Sequence, residues 1–291
     1  MKIKNLVVTL LGLLILITTM GIFNKLFNFQ KSDSPSLQAG AAQQDWNVYF
    51  SNLNGKIGSI VVDLGIKKIA PVKSQPNVVW ISIKMNKPRP DGLSSSEESD
   101  LLGNLGEDLV KAIEAKHNVT HTGRITTDGH RDFYFYFADT TSYEKTILET
   151  MLKYPNYKYA YGTKVDKDWN DYLNILYPTP EQYQSIQNAK VVANLQKAGD
   201  ILTKERAVEH WIYFKSEGDR KVFISKVEND GFNILKQDKV VTVKDYPYQL
   251  QIARFDKVDY ASVDVYILPL WRLAQENNGL YDGWETVIVR D

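Results

Sequence analysis

The hydrophobic pattern divides the chain into three regimes. From Leu6 to Phe23 every position is uncharged and nearly all are apolar. Ser32 to Gln44 (SDSPSLQAGAAQQ) is small and polar, the composition of a flexible linker. From Trp46 onward, runs with a period of two alternate with runs spaced by three and four residues, the marks of strands and amphipathic helices.

Between Trp46 and Tyr177, Ile57 to Leu64 is predicted as a strand, with Trp46 to Phe50 as its partner. Val78 to Met85 (VVWISIKM) is rich in β-branched residues and predicts a buried strand. Ser94 and Ser95 precede Glu97 and Glu98 at capping-box spacing. Leu101, Leu105, Leu109 and Ile113 then define a helix to about His117. Asp128-Gly129 separates two strand-like runs, and both residues tolerate positive φ, so a hairpin is expected there. In the second run Phe133, Phe135 and Phe137 share one face, assigned to the core. Tyr134 and Tyr136 share the other, expected to pack below a helix or hairpin. Ser142 to Tyr154 predicts a helix and Tyr157 to Val165 a strand.

Pro178 to Pro180 marks a boundary. Thr179 at the N-cap, Pro180 at N1 and Gln182 at N3 start a helix expected to reach Gly199. The expected order is then strand His210–Lys215, helix Glu217–Asp230, strand Phe232–Val243, strand Tyr248–Val258, helix Ser262–Asn277 and strand Trp284–Val289. Pro269 is expected to force a kink or a late start of the last helix. Both halves read β-α-β-β-α-β. Right-handed crossovers turn that order into a ferredoxin-like sandwich. The fold class is therefore α+β, two tandem ferredoxin-like (βαββαβ) sandwiches after one apolar helix, the first with an extra N-terminal hairpin. The divisions are 1–31 anchor or uncleaved signal, 32–44 linker, 45–178 first domain and 179–291 second domain. The first and last strands of the second sandwich are expected at opposite sheet edges.

The apolar run changes the setting. Its eighteen residues would form a helix about 27 Å long, close to a bilayer core of about 30 Å. It exceeds the usual signal-peptide core, and Phe27, Phe29, Lys25 and Lys31 resemble an interfacial collar. A retained anchor through residues 6–23 is expected. Lys2 and Lys4 favour a cytoplasmic N-terminus and extracytoplasmic domains.

Composition narrows the chemistry. The 291 residues carry 35 basic and 35 acidic side chains, so no global field attracts nucleic acid. With no cysteine, disulfides, thiolate zinc sites and cysteine nucleophiles are excluded. No P-loop, G-x-S-x-G elbow or G-x-G-x-x-G run occurs. His117 and His121 are four apart, but the helix is expected to end between them, which breaks a metal-ligand pair. Gly103-Asn104-Leu105-Gly106 falls inside a helical pattern, unlike a KH loop. Arg131 to Phe137 lacks the small residues of an RNA-binding strand. No cofactor and no catalytic site are expected.

A candidate binding surface remains, rich in aromatics and charge: Asp200, Arg206, His210, Trp211, Tyr281, Asp282, Trp284 and Glu285, with Arg124, Arg131, Tyr134 and Tyr136 in the first half. A salt bridge plus a helix-facing tryptophan is the stronger reading of the first set on physical grounds, because such clusters commonly seal strand ends. Two other readings use different residues. One is a ligand site at the domain junction with Tyr172, Tyr177, Trp211 and Trp284. The other is a hydrolase on His130, Asp132, Asp200 and His210.

The second half carries Leu195, Gly199-Asp200, Arg206-Ala207-Val208-Glu209-His210-Trp211-Ile212-Tyr213-Phe214, Gly231-Phe232, Leu273-Ala274 and Gly279-Leu280-Tyr281-Asp282-Gly283-Trp284-Glu285. In these residues it resembles the regulator of ribonuclease activity B family. The resemblance implies a ferredoxin-like fold and a non-enzymatic regulator that binds and inhibits an endoribonuclease of the ribonuclease E type. The first half, with Trp46, Gly123-Arg124-Ile125-Thr126, Asp128-Gly129, Arg131-Asp132-Phe133-Tyr134-Phe135-Tyr136 and Asp168-Trp169, resembles the domain of unknown function 695 family, which implies no activity. The expected partner is a protein. Two departures stand out: the apolar run, and a second half with 15 basic and 17 acidic residues, only slightly acidic.

Overall fold

A computed structural model of the chain describes residues 43–241 and 243–290. The apolar run, its collar and residues 32–42 of the linker lie outside the described residues. Among the described residues no helix is long and apolar enough to cross a membrane. The described residues fall in one compact unit.

The first half opens with a hairpin, β1 (Trp46–Leu53) and β2 (Lys56–Asp63). Its turn residues Asn54 and Gly55 both have positive φ, 53° and 83°, as a two-residue hairpin turn requires. Then follow β3 (Asn77–Lys84), α1 (Ser96–Lys116), β4 (Val119–Thr127), β5 (His130–Phe137), α2 (Tyr143–Met151) and β6 (Lys158–Val165). The Asp128-Gly129 turn forms as expected, with φ of 46° and 79°. The six strands run antiparallel in the order β1-β2-β4-β5-β3-β6.

One face of this sheet packs on α1 and α2. Phe133, Phe135 and Phe137 meet Leu105, Leu109 and Ile147 there, all buried. The helix presses so close that a Cβ on Gly106 would sit 2.9 Å from the Phe133 ring. This explains glycine inside a helix, where it otherwise costs about 1 kcal/mol against alanine. The capping box expected at Ser94 and Ser95 does not form. Ser95 is the N-cap, but its side chain makes no cap bond. Glu98 is instead buried, accepting from the backbone N–H groups of Asn86 and Lys87 at 2.7 Å each. Tertiary partners outcompete the local cap.

The second half contains α3 (Pro180–Lys197), β7 (Arg206–Phe214), α4 (Glu217–Val227), β8 (Asn233–Lys239), β9 (Tyr248–Asp256), α5 (Val263–Glu276) and β10 (Gly279–Thr286). The Thr179 capping box forms with Pro180 inside it, and Gly199 follows the helix with φ of 84°. The antiparallel sheet has the order β10-β7-β9-β8. Three expectations are corrected. The first and last strands, β7 and β10, are direct neighbours rather than opposite edges, paired from Gly279–Phe214 to Thr286–Val208. The last strand begins at Gly279, five residues before the expected Trp284, because Phe214 to Ile212 extend its ladder. The last helix starts at Val263 and passes through Pro269, so the proline does not delay it.

Candidate functional site

The pairing of β7 with β10 brings the second-half candidates together. Along β7, Val208, His210, Ile212 and Phe214 face the helices and are fully buried. The period of two therefore turns Ala207, Glu209, Trp211 and Tyr213 to the opposite face.

The buried side holds polar groups in fixed partnerships. Asp200 and Arg206 form an ion pair, with side chains 0% and 5% exposed. Burial alone would raise the Asp200 carboxyl. Arg206 and the backbone N–H groups of Val289 and Leu202 hold it below the usual range instead. His210 is fully buried, its Nδ1 2.8 Å from the Tyr281 hydroxyl. Burial first, then the Arg254 charge, pulls its pKa down to about 3, so the imidazole is neutral at pH 7. Trp284 is buried and donates from Nε1 to Asn188 Oδ1 of α3 at 3.1 Å. All five are buried: Trp284 ties β10 to α3, His210 and Tyr281 join β7 to β10, and the Asp200–Arg206 pair holds the backbone at Val287 and Val289.

The open side is different. Trp211 is half-buried, with Gln251 of β9 opposite it on one flank and Gly283 of β10 on the other. Glu209 faces Glu285 across the ladder and accepts from Gln251 Nε2 at 2.6 Å. Partial desolvation, then the Glu209 charge, lifts the Glu285 carboxyl above its usual range. Tyr213 shares its hydroxyl with Gln249 Nε2 at 3.1 Å, and the negative charge of Asp282 acts on it. A bulge between Tyr281 and Gly283 leaves Asp282 exposed. Tyr213 lies on this side but is itself buried, so the face combines the Trp211 ring with three carboxylates. Such a surface is suited to guanidinium and ammonium groups through cation–π and ion-pair contacts. Glu209 and Tyr213 were absent from the expected surface, although their spacing of two from Trp211 already put them beside it.

The first-half candidates do not join this set, because they belong to the other sheet. Arg131 is buried and donates to Thr126 Oγ1 and Ser94 Oγ, both at 3.2 Å. Burial, then the neighbouring Arg124, lowers its pKa to about 10. Tyr136 is fully buried, stacked on Trp169 at 4.0 Å between ring centroids, and donates to Asp166 Oδ2 at 2.5 Å. Tyr134 and Arg124 are half-buried. The junction reading is divided by the sheet itself: Trp284 faces the helices, Trp211 faces away, and Tyr172 is sealed in the first half with its hydroxyl on Asp63 O at 2.8 Å. The hydrolase residues are scattered too. His130 is exposed at the start of β5, with Nδ1 3.0 Å from Asp128 O, while Asp200 and His210 have the separate partners described above. Among the described residues no cluster of three His, Asp or Glu could hold a metal.

Similarity to known families follows the same division. Residues 185–286 match the regulator of ribonuclease activity B. That span contains α3 from Ser185 onward and every strand of the second sheet, with Trp211, Tyr213, Glu209 and Glu285 all inside it. Residues 44–177 match a family of unknown function, DUF695. No curated protein matches the chain. Among solved structures, an unknown protein from Galdieria sulphuraria aligns over 74% of this chain and 99% of its own at 11% identity, with a TM-score of 0.20. A putative glycine cleavage system transcriptional repressor aligns over 72% and 98% at 10% identity, with a TM-score of 0.18. At those scores neither likeness bears on fold or function.

Proposed function

We propose that this chain is a non-enzymatic, protein-binding regulator that acts on an endoribonuclease of the ribonuclease E type, with the open face of the second sheet as its contact surface. The observation that carries the proposal is the match of residues 185–286 to the regulator of ribonuclease activity B. The strand orders β4-β5-β3-β6 and β10-β7-β9-β8 support the ferredoxin-like reading of both halves. Trp211 is the expected anchor, because binding energy concentrates in aromatic residues at the centre of an interface. Glu209, Asp282 and Glu285 around it select a basic segment of the partner. Residues 6–23 are proposed as a membrane anchor.

The test is inhibition of RNA cleavage by the purified ribonuclease on addition of the full chain. Inhibition by the intact chain, with potency reduced about tenfold or more by Trp211→Ala, supports the proposal. Unchanged cleavage at stoichiometric excess sinks it. Sidedness is a second requirement. Alkaline phosphatase and green fluorescent protein fused after Asp291 should report a cytoplasmic terminus. Lys2 and Lys4 favour the opposite orientation. A phosphatase-positive result would move the reading to an envelope domain that binds a peptide or small ligand.

A further inference from the structure

Among the described residues the two sheets end in four edge strands, β1 and β6 in the first and β10 and β8 in the second. Exposed edges invite pairing with other chains, and proteins blunt them with charge, proline or bulges. Three of the four are blunted. β6 carries Lys158 and Lys164. β8 has a bulge between Ile234 and Lys236, followed by Lys236, Asp238 and Lys239. β10 has its bulge at Asp282 and carries Glu285. β1 has none of these devices. Its sequence, WNVYFSNL, contains no charge and no proline, and its eight pairs with β2 run without a register shift.

The register fixes which main-chain groups face outward. Leu64 N donates to Asp45 O at 2.9 Å, and Leu53 pairs with Lys56 across the two-residue turn. Hydrogen-bonded pairs alternate in an antiparallel ladder. Asn47, Tyr49, Ser51 and Leu53 therefore bond to β2. Trp46, Val48, Phe50 and Asn52 turn their N–H and C=O groups to the open edge. The side chains of Trp46, Val48 and Phe50 share one face and are 38%, 53% and 60% exposed. The opposite face is occupied: the Tyr49 hydroxyl reaches Leu176 O at 2.9 Å, and Gln182 of α3 reaches Ser51 Oγ at 3.0 Å.

We infer that β1 is a self-association edge, on which a second copy of this chain adds its own β1 antiparallel across a two-fold axis through Val48. The sequence is symmetric for that operation. Val48 would lie opposite Val48 of the second copy, with Trp46 opposite Phe50 and Phe50 opposite Trp46. Aromatic cross-strand pairs are among the more favourable on a sheet face. All three are outward-bonding positions, so the same register forms six main-chain hydrogen bonds. Charge permits it as well. The strand is neutral, and the flanking Asp45 is countered by Lys190 Nζ at 3.4 Å, so a copy meets no repulsion. An eight-residue edge is about 26 Å long and roughly 10 Å deep, which gives about 260 Å² on each copy, well under a standard interface of about 800 Å² per partner. The dimer is therefore held by main-chain bonds and two aromatic pairs, and it depends on concentration.

The absence of cysteine makes the test direct. Val48→Cys and, as control, Val165→Cys on β6, 65% exposed, are each introduced into the full chain and treated with a short bismaleimide. The expected product is a band of twice 33.3 kDa for Val48→Cys and none for Val165→Cys. No dimer band, equal bands for both variants, or a product of another mass would overturn the inference. Val48→Lys separates this edge from any contact elsewhere in the chain. In sedimentation over a concentration series the unmodified chain should shift from one to two copies. Val48→Lys should stay at one copy, with the melting temperature that the unmodified chain has when dilute. A variant that still dimerises, or an unmodified chain that never does, rejects the edge.

Discussion

Both halves contain the same β-α-β-β-α-β order, yet they treat the second face of the sheet in opposite ways. In the first half that face is closed. Tyr136 stacks on Trp169, whose Nε1 donates to Gln75 O at 2.9 Å, and a π-helical turn at Asp171–Leu176 lies over the β2–β4 side. In the second half the equivalent face keeps Trp211, Glu209, Glu285 and exposed Phe255 at the surface. The first half has an extra hairpin and an aromatic plug, and the second has neither. The same element order thus leaves the second face of the first sheet covered from β2 to β5 and that of the second sheet available for contact.

The largest test of that difference is to delete one tryptophan from each sheet. Trp169→Ala removes a fully buried ring and should cost about 3–5 kcal/mol. Trp211→Ala on the open face should cost less than about 1 kcal/mol, as read by urea unfolding. Comparable losses would mean that the open face is structural. Next in size is Arg206→Leu. It strands the Asp200 carboxylate in the interior, and breaking a buried pair from one side costs about 3–5 kcal/mol at the upper end. Hydrogen exchange should show the loss in the second half, with the first half still protected.

A smaller effect depends on pH. His210 titrates near its ordinary value in the unfolded chain and at about 3 in the folded one. Between those limits the unfolded state binds the extra proton. Stability is therefore complete above about pH 6.5 and falls as pH drops, by at most about 1.4 kcal/mol per pH unit. His210→Gln should flatten that slope in the second half. The first half should keep its own slope, because His121, between Trp46 and Phe135, has its pKa lowered to about 4, chiefly by burial and then by Arg124. If the variant leaves the second-half slope as steep as before, His210 is not its source. The smallest effect is Glu285→Gln, which relieves the repulsion from Glu209 and should stabilise by about 0.2–1 kcal/mol. The same change should weaken capture of a basic partner, so a pull-down reads the opposite sign from the melting curve.

Much of this arrangement was legible before the structure. The Asp128-Gly129 turn, the Thr179 capping box and the terminating Gly199 each depend on residues within a few positions of one another, and each is present. The Ser95 box failed because Glu98 found the backbone of Asn86 and Lys87, more than ten residues back. The candidate site was only partly visible. Asp200, Arg206, His210, Tyr281 and Trp284 were identified as a group, but their residue types cannot say which side of a strand faces helices. With Arg131 and Tyr136 of the first half, seven candidates for a surface are in fact interior.

By itself, the sequence determined the order of elements, their turns and caps, and the period that sets one face of β7 against the other. Those signals act through φ, ψ and the first few neighbours along the chain. Only the tertiary structure decided that β10 lies beside β7. That contact brings Tyr281 to His210 across 71 residues and Trp284 to Asn188 across 96. It also gave Glu209 the like-charged neighbour Glu285. Strand neighbours so far apart are selected by the packing of the whole sheet on its helices, and no local pattern encodes that choice.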